Sequence, residues 1–282
     1  MLTIKFYNER GQVTFYGGGT SRWRLTAADG LALCGRSFNT ARYSGQIGQK
    51  TLETVVNPRT ITLSGDVETG ENFLAEYQEF IGVLEKEGTL EITTDVGKRS
   101  IGARCCEFYQ GEKKGKYMLF VVQFICDNPY FKDADKVEVP VFKEIPLLDE
   151  NFTFPGIFSQ RIARKNLVYE GNAETEPVFF INVEEALDGD AMLSIINHTS
   201  GEQLNFNYGA SQNESIVVDI ENRSIYNSYG DDLLKYLADD SFFDGFHLYP
   251  GSNDIEVINY SANTGIGVTC SYFNQYLEAV YV

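Results

Sequence analysis

The order of apolar and polar positions divides the chain into many short alternating runs and one helical stretch. Thr60-Ile61-Thr62-Leu63-Ser64 and Thr89-Leu90-Glu91-Ile92-Thr93 alternate with the period of a half-buried strand. Tyr117 to Ile125 is apolar at both parities, which predicts a central strand covered on both sides. Between these runs Phe73, Leu74, Tyr77, Phe80, Ile81 and Leu84 recur at helical spacing. The spacing predicts a helix over 71–87, with Thr69 or Asn72 as its cap and Gly88 at its end. The first half therefore reads as a β-sandwich or open barrel carrying one amphipathic helix.

The second half reads as nearly all β. Strands are expected at 178–183, 193–197, 204–208, 215–220, 255–260, 267–273 and 276–282, a spacing that suits an antiparallel sandwich. Asp231 to Leu237 predicts a short helix with acids at its start. A boundary falls between the halves, where polar Lys132 to Lys136 is followed by Pro140, Pro146 and Pro155. Proline fixes φ and removes a ladder donor, so this stretch is expected to run extended over a surface. The expected division is a domain over 1–135, a linker over 136–160 and a second domain over 161–282. Within the first domain, Cys34 to Lys50 departs from the pattern. Gly35, Gly45 and Gly48 alternate there with Arg36, Arg42 and Tyr43, which reads as a long excursion rather than a core element.

Charge sharpens the division. The 282 residues carry a formal net charge of −17. Residues 1–140 hold 17 basic and 18 acidic side chains, whereas 141–282 hold 6 and 22. So acidic a chain is unsuited to gripping a phosphate backbone or an anionic membrane surface. The apolar run Tyr117 to Val122 is too short to span a bilayer, and the N-terminal residues do not read as a signal peptide, so no membrane insertion is expected. Five cysteines without metal-site spacing read as thiols of a reducing compartment.

Catalytic motifs do not emerge. No G-x-S-x-G elbow accompanies His198 or His247; His247 alternates like a strand residue, and His198 sits in a turn-like Asn197-His198-Thr199-Ser200-Gly201. Asp239 to Gly245 lacks the alternating acids and terminal Glu of a calcium loop, and Gly17-Gly18-Gly19 lacks the Lys of a phosphate cradle. No catalytic residue, cofactor or metal is expected.

A set of longer phrases carries more. Asn57-Pro58-Arg59-Thr60-Ile61-Thr62-Leu63-Ser64-Gly65-Asp66 precedes the helix, and Cys126-Asp127-Asn128-Pro129-Tyr130-Phe131 closes the first half. Gly171-Asn172-Ala173-Glu174-Thr175-Glu176-Pro177-Val178-Phe179 opens the second, Tyr249-Pro250-Gly251-Ser252-Asn253-Asp254-Ile255 precedes a late strand, and Tyr276-Leu277-Glu278-Ala279-Val280-Tyr281 ends the chain. In this order and spacing the chain resembles the distal tail protein (Dit) family of siphophages that infect Gram-positive bacteria.

The resemblance implies a mainly β protein of two domains. The N-terminal one is expected to be a tail-tube-like β fold with one helix that builds a hexameric ring, and the C-terminal one a galectin-like β-sandwich on the outside. Family members sit at the virion tail tip and are assembled in the host cytoplasm. They join the tail tube protein to the tail-associated hub protein, hold receptor-binding proteins in several phages, and leave a lumen through which DNA passes. In such a ring, Arg36, Arg42, Tyr43 and Gln46 of the excursion are the expected contacts to a neighbouring subunit or the tube. Galectins stack sugar on a Trp, and the only Trp here is Trp23 in the first half. A carbohydrate-binding tail-tip module would instead need an exposed aromatic platform in the second half; another tail component, tube or hub, is the nearer alternative.

Overall fold

The computed structural model describes residues 2–17, 22–45, 47–143, 162–187, 192–260 and 265–279. They form two units, Met1–Ala134 with Tyr276–Val282, and Asp135–Gln275. In order, the first unit contains β1 (Thr3–Asn8), β2 (Gly11–Tyr16), β3 (Trp23–Asp29), β4 (Arg36–Ala41), β5 (Lys50–Val56), β6 (Arg59–Glu68), α1 (Phe73–Leu84), β7 (Gly88–Thr93), β8 (Lys98–Lys114) and β9 (Tyr117–Cys126). Strand β10 (Phe131–Lys143) starts there and passes into the second unit.

Seven strands of the first unit follow the order β8-β7-β1-β2-β3-β6-β9, and β9 pairs back onto β8. The sheet is a closed barrel, which removes its edges. Alternation decides which side chains fill it. In β6, Ile61, Leu63 and Val67 are buried, and opposite them in β9 Met118, Phe120, Val122 and Phe124 are buried too. The intervening Leu119 of β9 is exposed, so the expectation of a strand covered on both faces is corrected. Closure gives this strand one dry face and one outward face, and its outward apolar residues mimic a doubly covered strand.

Helix α1 is shorter than expected, and Asn72 at its N-cap makes no side-chain cap hydrogen bond. The chain reaches Glu85 as C-cap, and Gly88 opens β7 instead of closing the helix. Among the described residues, strands β2 and β3 pair only at Tyr16 and Arg24, and Phe80 of the helix stacks on Trp23 at 3.8 Å beside that seam. Phe15, Phe108 and Phe120 contact the same indole or Phe80 edge-on. At Gly65 of β6 a Cβ would lie 2.0 Å from the Arg24 carbonyl oxygen and 2.8 Å from the Phe120 ring. The absence of a side chain lets β3 approach β6 against that ring.

The second unit continues with β11 (Ile162–Tyr169), β12 (Val178–Val183), β13 (Met192–Asn197), β14 (Glu202–Asn207), β15 (Ser215–Asp219), β16 (Ser224–Asn227), β17 (Gly251–Asn259) and β18 (Ile266–Tyr276). One sheet runs β11-β17-β13-β14, and the other places β16, β15, β12 and β18 side by side with β10 next to β18. Their inward residues, among them Phe179, Ile195, Leu204, Val218, Phe246, Val257 and Val268, form one core. The Tyr169 hydroxyl donates to the Ala173 carbonyl and accepts from the Gln275 amide, both at 2.7 Å, fixing the turn that opens with Gly171.

Three boundary expectations change. Residues 136–143 are strand, not linker, because Val137, Val139, Val141 and Phe142 pack on the second core. Residues 144–161 lie outside the described residues. The expected closing strand at 276–282 changes where it is described: β18 runs unbroken to Tyr276, after which Leu277 to Ala279 bend and belong to the first unit, and 280–282 lie outside the described residues. The predicted helix at 231–237 is a single 3₁₀ turn, Leu234–Tyr236, with the Asp232 carboxylate accepting from the Leu234 amide at 2.9 Å.

Candidate functional site

The excursion beginning at Cys34 is a two-stranded hairpin. Among the described residues, strands β4 and β5 pair only with each other, from Arg36 opposite Val56 to Ala41 opposite Lys50, with a register shift after Asn39. Reading the stretch as an irregular loop missed this, because only its first arm was in view. The partner arm, Lys50 to Val56, is β-branched and regular, and it completes the pattern. Neither arm has a buried residue. Gly45 and Gly48 in the connection adopt φ of 82° and 84°, a left-handed backbone that glycine takes without cost.

The structure distributes the expected contact residues along this arm rather than gathering them. Arg36 is at its root, at the start of β4, and exposed; Arg42 and Tyr43 follow the far end of β4 and are exposed. The two arginines are six positions apart, about 20 Å at the rise of a strand. Gln46 lies outside the described residues. What the sequence reading missed is the apolar content of the arm: Phe38 is 59% exposed, Leu52 61% and Val55 42%. They gave no periodic signal, because Leu52 and Val55 stand three apart on β5 and Phe38 is isolated among polar residues on β4. A two-stranded ribbon with no second layer is marginal in water by itself.

The hairpin's root, by contrast, is firmly held. The Asn57 amide donates to the Gly35 carbonyl at 3.0 Å, and the Ser37 hydroxyl to the Asn57 side chain at 3.0 Å. Two residues on, Arg59 is 2% exposed at the start of β6. Its guanidinium donates to the carbonyls of Gly30 (2.6 Å), Ala32, Pro129 (2.7 Å) and Leu277 (2.6 Å), and lies over the Phe131 ring at 4.5 Å. Burial lowers the affinity of this group for its proton, but four carbonyl acceptors and an aromatic face suit only the cation. The residues that lead into the hairpin are thus pinned to the barrel wall and to the returning C-terminal segment. Arg99 repeats the device: it donates to the Glu278 carbonyl at 2.8 Å and lies 3.4 Å from the Tyr276 ring centre.

The two histidines of the second unit sit in hydrogen-bonded surroundings. Nδ1 of His247 is 2.7 Å from the Gly245 carbonyl, and Nε2 of His198, in the β13–β14 turn, is 2.5 Å from the Glu256 carboxylate of β17.

Comparison with known proteins bears on this architecture. Residues 170–276 match the family model described as the C-terminal domain of siphovirus-type tail components. The crystal structure of the Dit protein of phage SPP1, titled a paradigm of the hub adsorption apparatus in phages infecting Gram-positive bacteria, superposes with a TM-score of 0.67 over 98% of this chain and 99% of that one.

Residues 170–276 carry the C-terminal domain of siphovirus-type tail components, and the fold of the chain is that of the SPP1 Dit protein.

Identity with the SPP1 protein is 12%, so that superposition speaks for the fold. Chains of the phage P2 baseplate in its activated conformation, with Ca and with Sr, give TM-scores of 0.51 at 12% and 11% identity, covering 96% of this chain and 97% of theirs. No curated protein matches the sequence.

Proposed function

We propose that this chain forms a hexameric ring at the virion tail tip, joining the tail tube protein above to the hub protein below, with a lumen for DNA. The ring is assembled in the host cytoplasm, and the acidic second unit, a galectin-like sandwich, is presented outward to receptor-binding proteins. The β4–β5 hairpin carries this reading. A regular, firmly rooted arm that exposes Phe38, Leu52 and Val55 gains a second layer only from another polypeptide. Arg36 and Arg42 add guanidinium forks that match carboxylates, and Tyr43 adds a ring with a polar tip. The occupant proposed is a neighbouring subunit or the tube. Tyr109, Tyr117 and Leu119, exposed on the outer face of β8 and β9, support a further contact surface on the same unit. Outward presentation of the second unit agrees with its charge, which keeps a surface solvated and clear of its equals.

Negative-stain imaging and mass measurement of the purified chain test the proposal. Six-fold rings are expected, and deletion of residues 36–48 is expected to reduce ring mass or abolish tube attachment. A monomer that remains a monomer with the tube protein present overturns the ring, and intact rings that still bind the tube after the deletion overturn the hairpin's role.

A further inference from the structure

The second unit has a recess of about 600 Å³ where the β15–β16 turn meets the loop leading into β17. Its lining includes Arg223, Leu234, Leu237, Phe242, Phe243 and Asp244. The volume lies in the range of about 300–1,000 Å³ typical of small-ligand clefts. Phe242 presents its ring to solvent, 61% exposed, yet its backbone is fixed: its amide donates to the Gln203 carbonyl at 2.8 Å and its carbonyl accepts from Gly245. Leu237 bridges to Phe206 of β14, and the Ala238 amide donates to the Asn205 carbonyl at 2.9 Å, so the loop carrying the ring is sewn to the sheet edge.

The polar side of the recess is also set in place. Arg223 occupies the left-handed backbone region at φ 52°, with its amide donating to the Ile220 carbonyl. For a residue with a Cβ this conformation costs free energy, and the Arg223 Nε lies 3.2 Å from Asp244 Oδ1. Both side chains are well exposed. The pair is neutral as a whole and has guanidinium N–H donors beside a carboxylate acceptor.

From this arrangement we infer that the recess is a binding site for a neutral saccharide. A sugar ring has an apolar C–H face, which Phe242 and Leu234 match, and hydroxyl edges that both donate and accept, which Asp244 and Arg223 match. An anionic ligand is opposed by the surroundings: the second half carries 22 acidic against 6 basic side chains. A cationic ligand meets a carboxylate already neutralised by Arg223. A purely apolar ligand would strip water from an exposed charge pair without replacing its hydrogen bonds. The site stands on this recess alone and is independent of ring formation.

Saturation-transfer NMR on the full chain tests it with maltotriose, cellotriose and chitotriose at millimolar concentration, and glycerol 3-phosphate as the anionic arm. At least one neutral trisaccharide is expected to bind. Phe242→Ala and Asp244→Asn are each expected to weaken that affinity tenfold or more. Phe242→Tyr, which keeps the aromatic face, and Tyr229→Ala, which removes another exposed ring of this unit, should leave it within about twofold. Absence of signal from all three sugars, a signal that survives Phe242→Ala, or tighter binding of glycerol 3-phosphate overturns the assignment.

Discussion

Arg59 and Leu277 are 218 positions apart in sequence, and the guanidinium of the first donates to the carbonyl of the second at 2.6 Å. Pro129 accepts from the same guanidinium. Three of the scattered phrases that marked the family resemblance, at 57–66, 126–131 and 276–281, therefore meet at one buried cation. Their shared role is to close the barrel and root the hairpin.

Replacing Arg59 tests that role. Arg59→Ala leaves four carbonyls without their buried donor, and each unsatisfied group costs about 1–3 kcal/mol. The expected loss is about 3 kcal/mol or more in urea denaturation, or failure to accumulate folded protein. Arg59→Lys retains charge but not the planar fork, so it should restore only part of the loss. A stability within about 0.5 kcal/mol of the parent for Arg59→Ala would show that the cluster is a bystander.

Removal of residues 277–282 is expected to loosen the first unit specifically. It deletes the Leu277 and Glu278 acceptors and the Ala279 amide that donates to the Leu31 carbonyl at 2.8 Å. Hydrogen exchange should accelerate in β6 and in residues 30–35, while β12, β13 and β17 keep their protection. Uniform acceleration across both units would contradict a local lock.

Trp23 is the chain's sole tryptophan and is nearly buried against Phe80. Its emission should be blue-shifted in the folded protein and move red on unfolding. Trp23→Ala removes the ring that packs at the thin β2–β3 seam and is expected to cost about 3–5 kcal/mol. Trp23→Phe should recover more than half of that, as read from denaturation midpoints. Equal midpoints for the two variants would mean that the seam is held by other contacts.

Alkaline pH should weaken the fold. Desolvation pushes the Tyr249 hydroxyl up to about 12, aided by its bond to Glu202, and burial pushes Tyr272 and the Cys126 thiol up to about 12, with Arg59 opposing the rise at Cys126. In the unfolded chain these groups titrate near their ordinary values of about 8.5 to 10. Between those values and about 12 the unfolded state has lost protons that the folded state still holds, so stability falls as pH rises through this window. Denaturation midpoints measured from about pH 8 to pH 11 should decline steadily; a flat profile contradicts the burial of these groups. In the native protein a thiol reagent should modify exposed Cys106 well before Cys126 and Cys270.

The sequence by itself determined the class of fold. Period-two alternation marks strands because side chains of a strand face opposite sides, and it placed β6, β7 and most strands of the second unit within a few residues. The helix was legible for the corresponding reason, since Phe73, Tyr77, Phe80 and Leu84 recur at helical spacing, although Leu74 and Ile81 of the same pattern are exposed and Val83, outside it, is buried. The tertiary structure decided what alternation cannot encode. Outward Leu119 and inward Phe120 look equally apolar in a row, and only barrel closure tells one face from the other. The hairpin was read as a loop because its two arms stabilise each other across a turn and not within either arm. Arg59 was visible only as part of a phrase, since a buried cation is defined by carbonyls contributed from distant segments. The Phe242 recess had no sequence signal at all, because its ring, its charge pair and its supporting strand edge are brought together by the packing of one loop on a sheet.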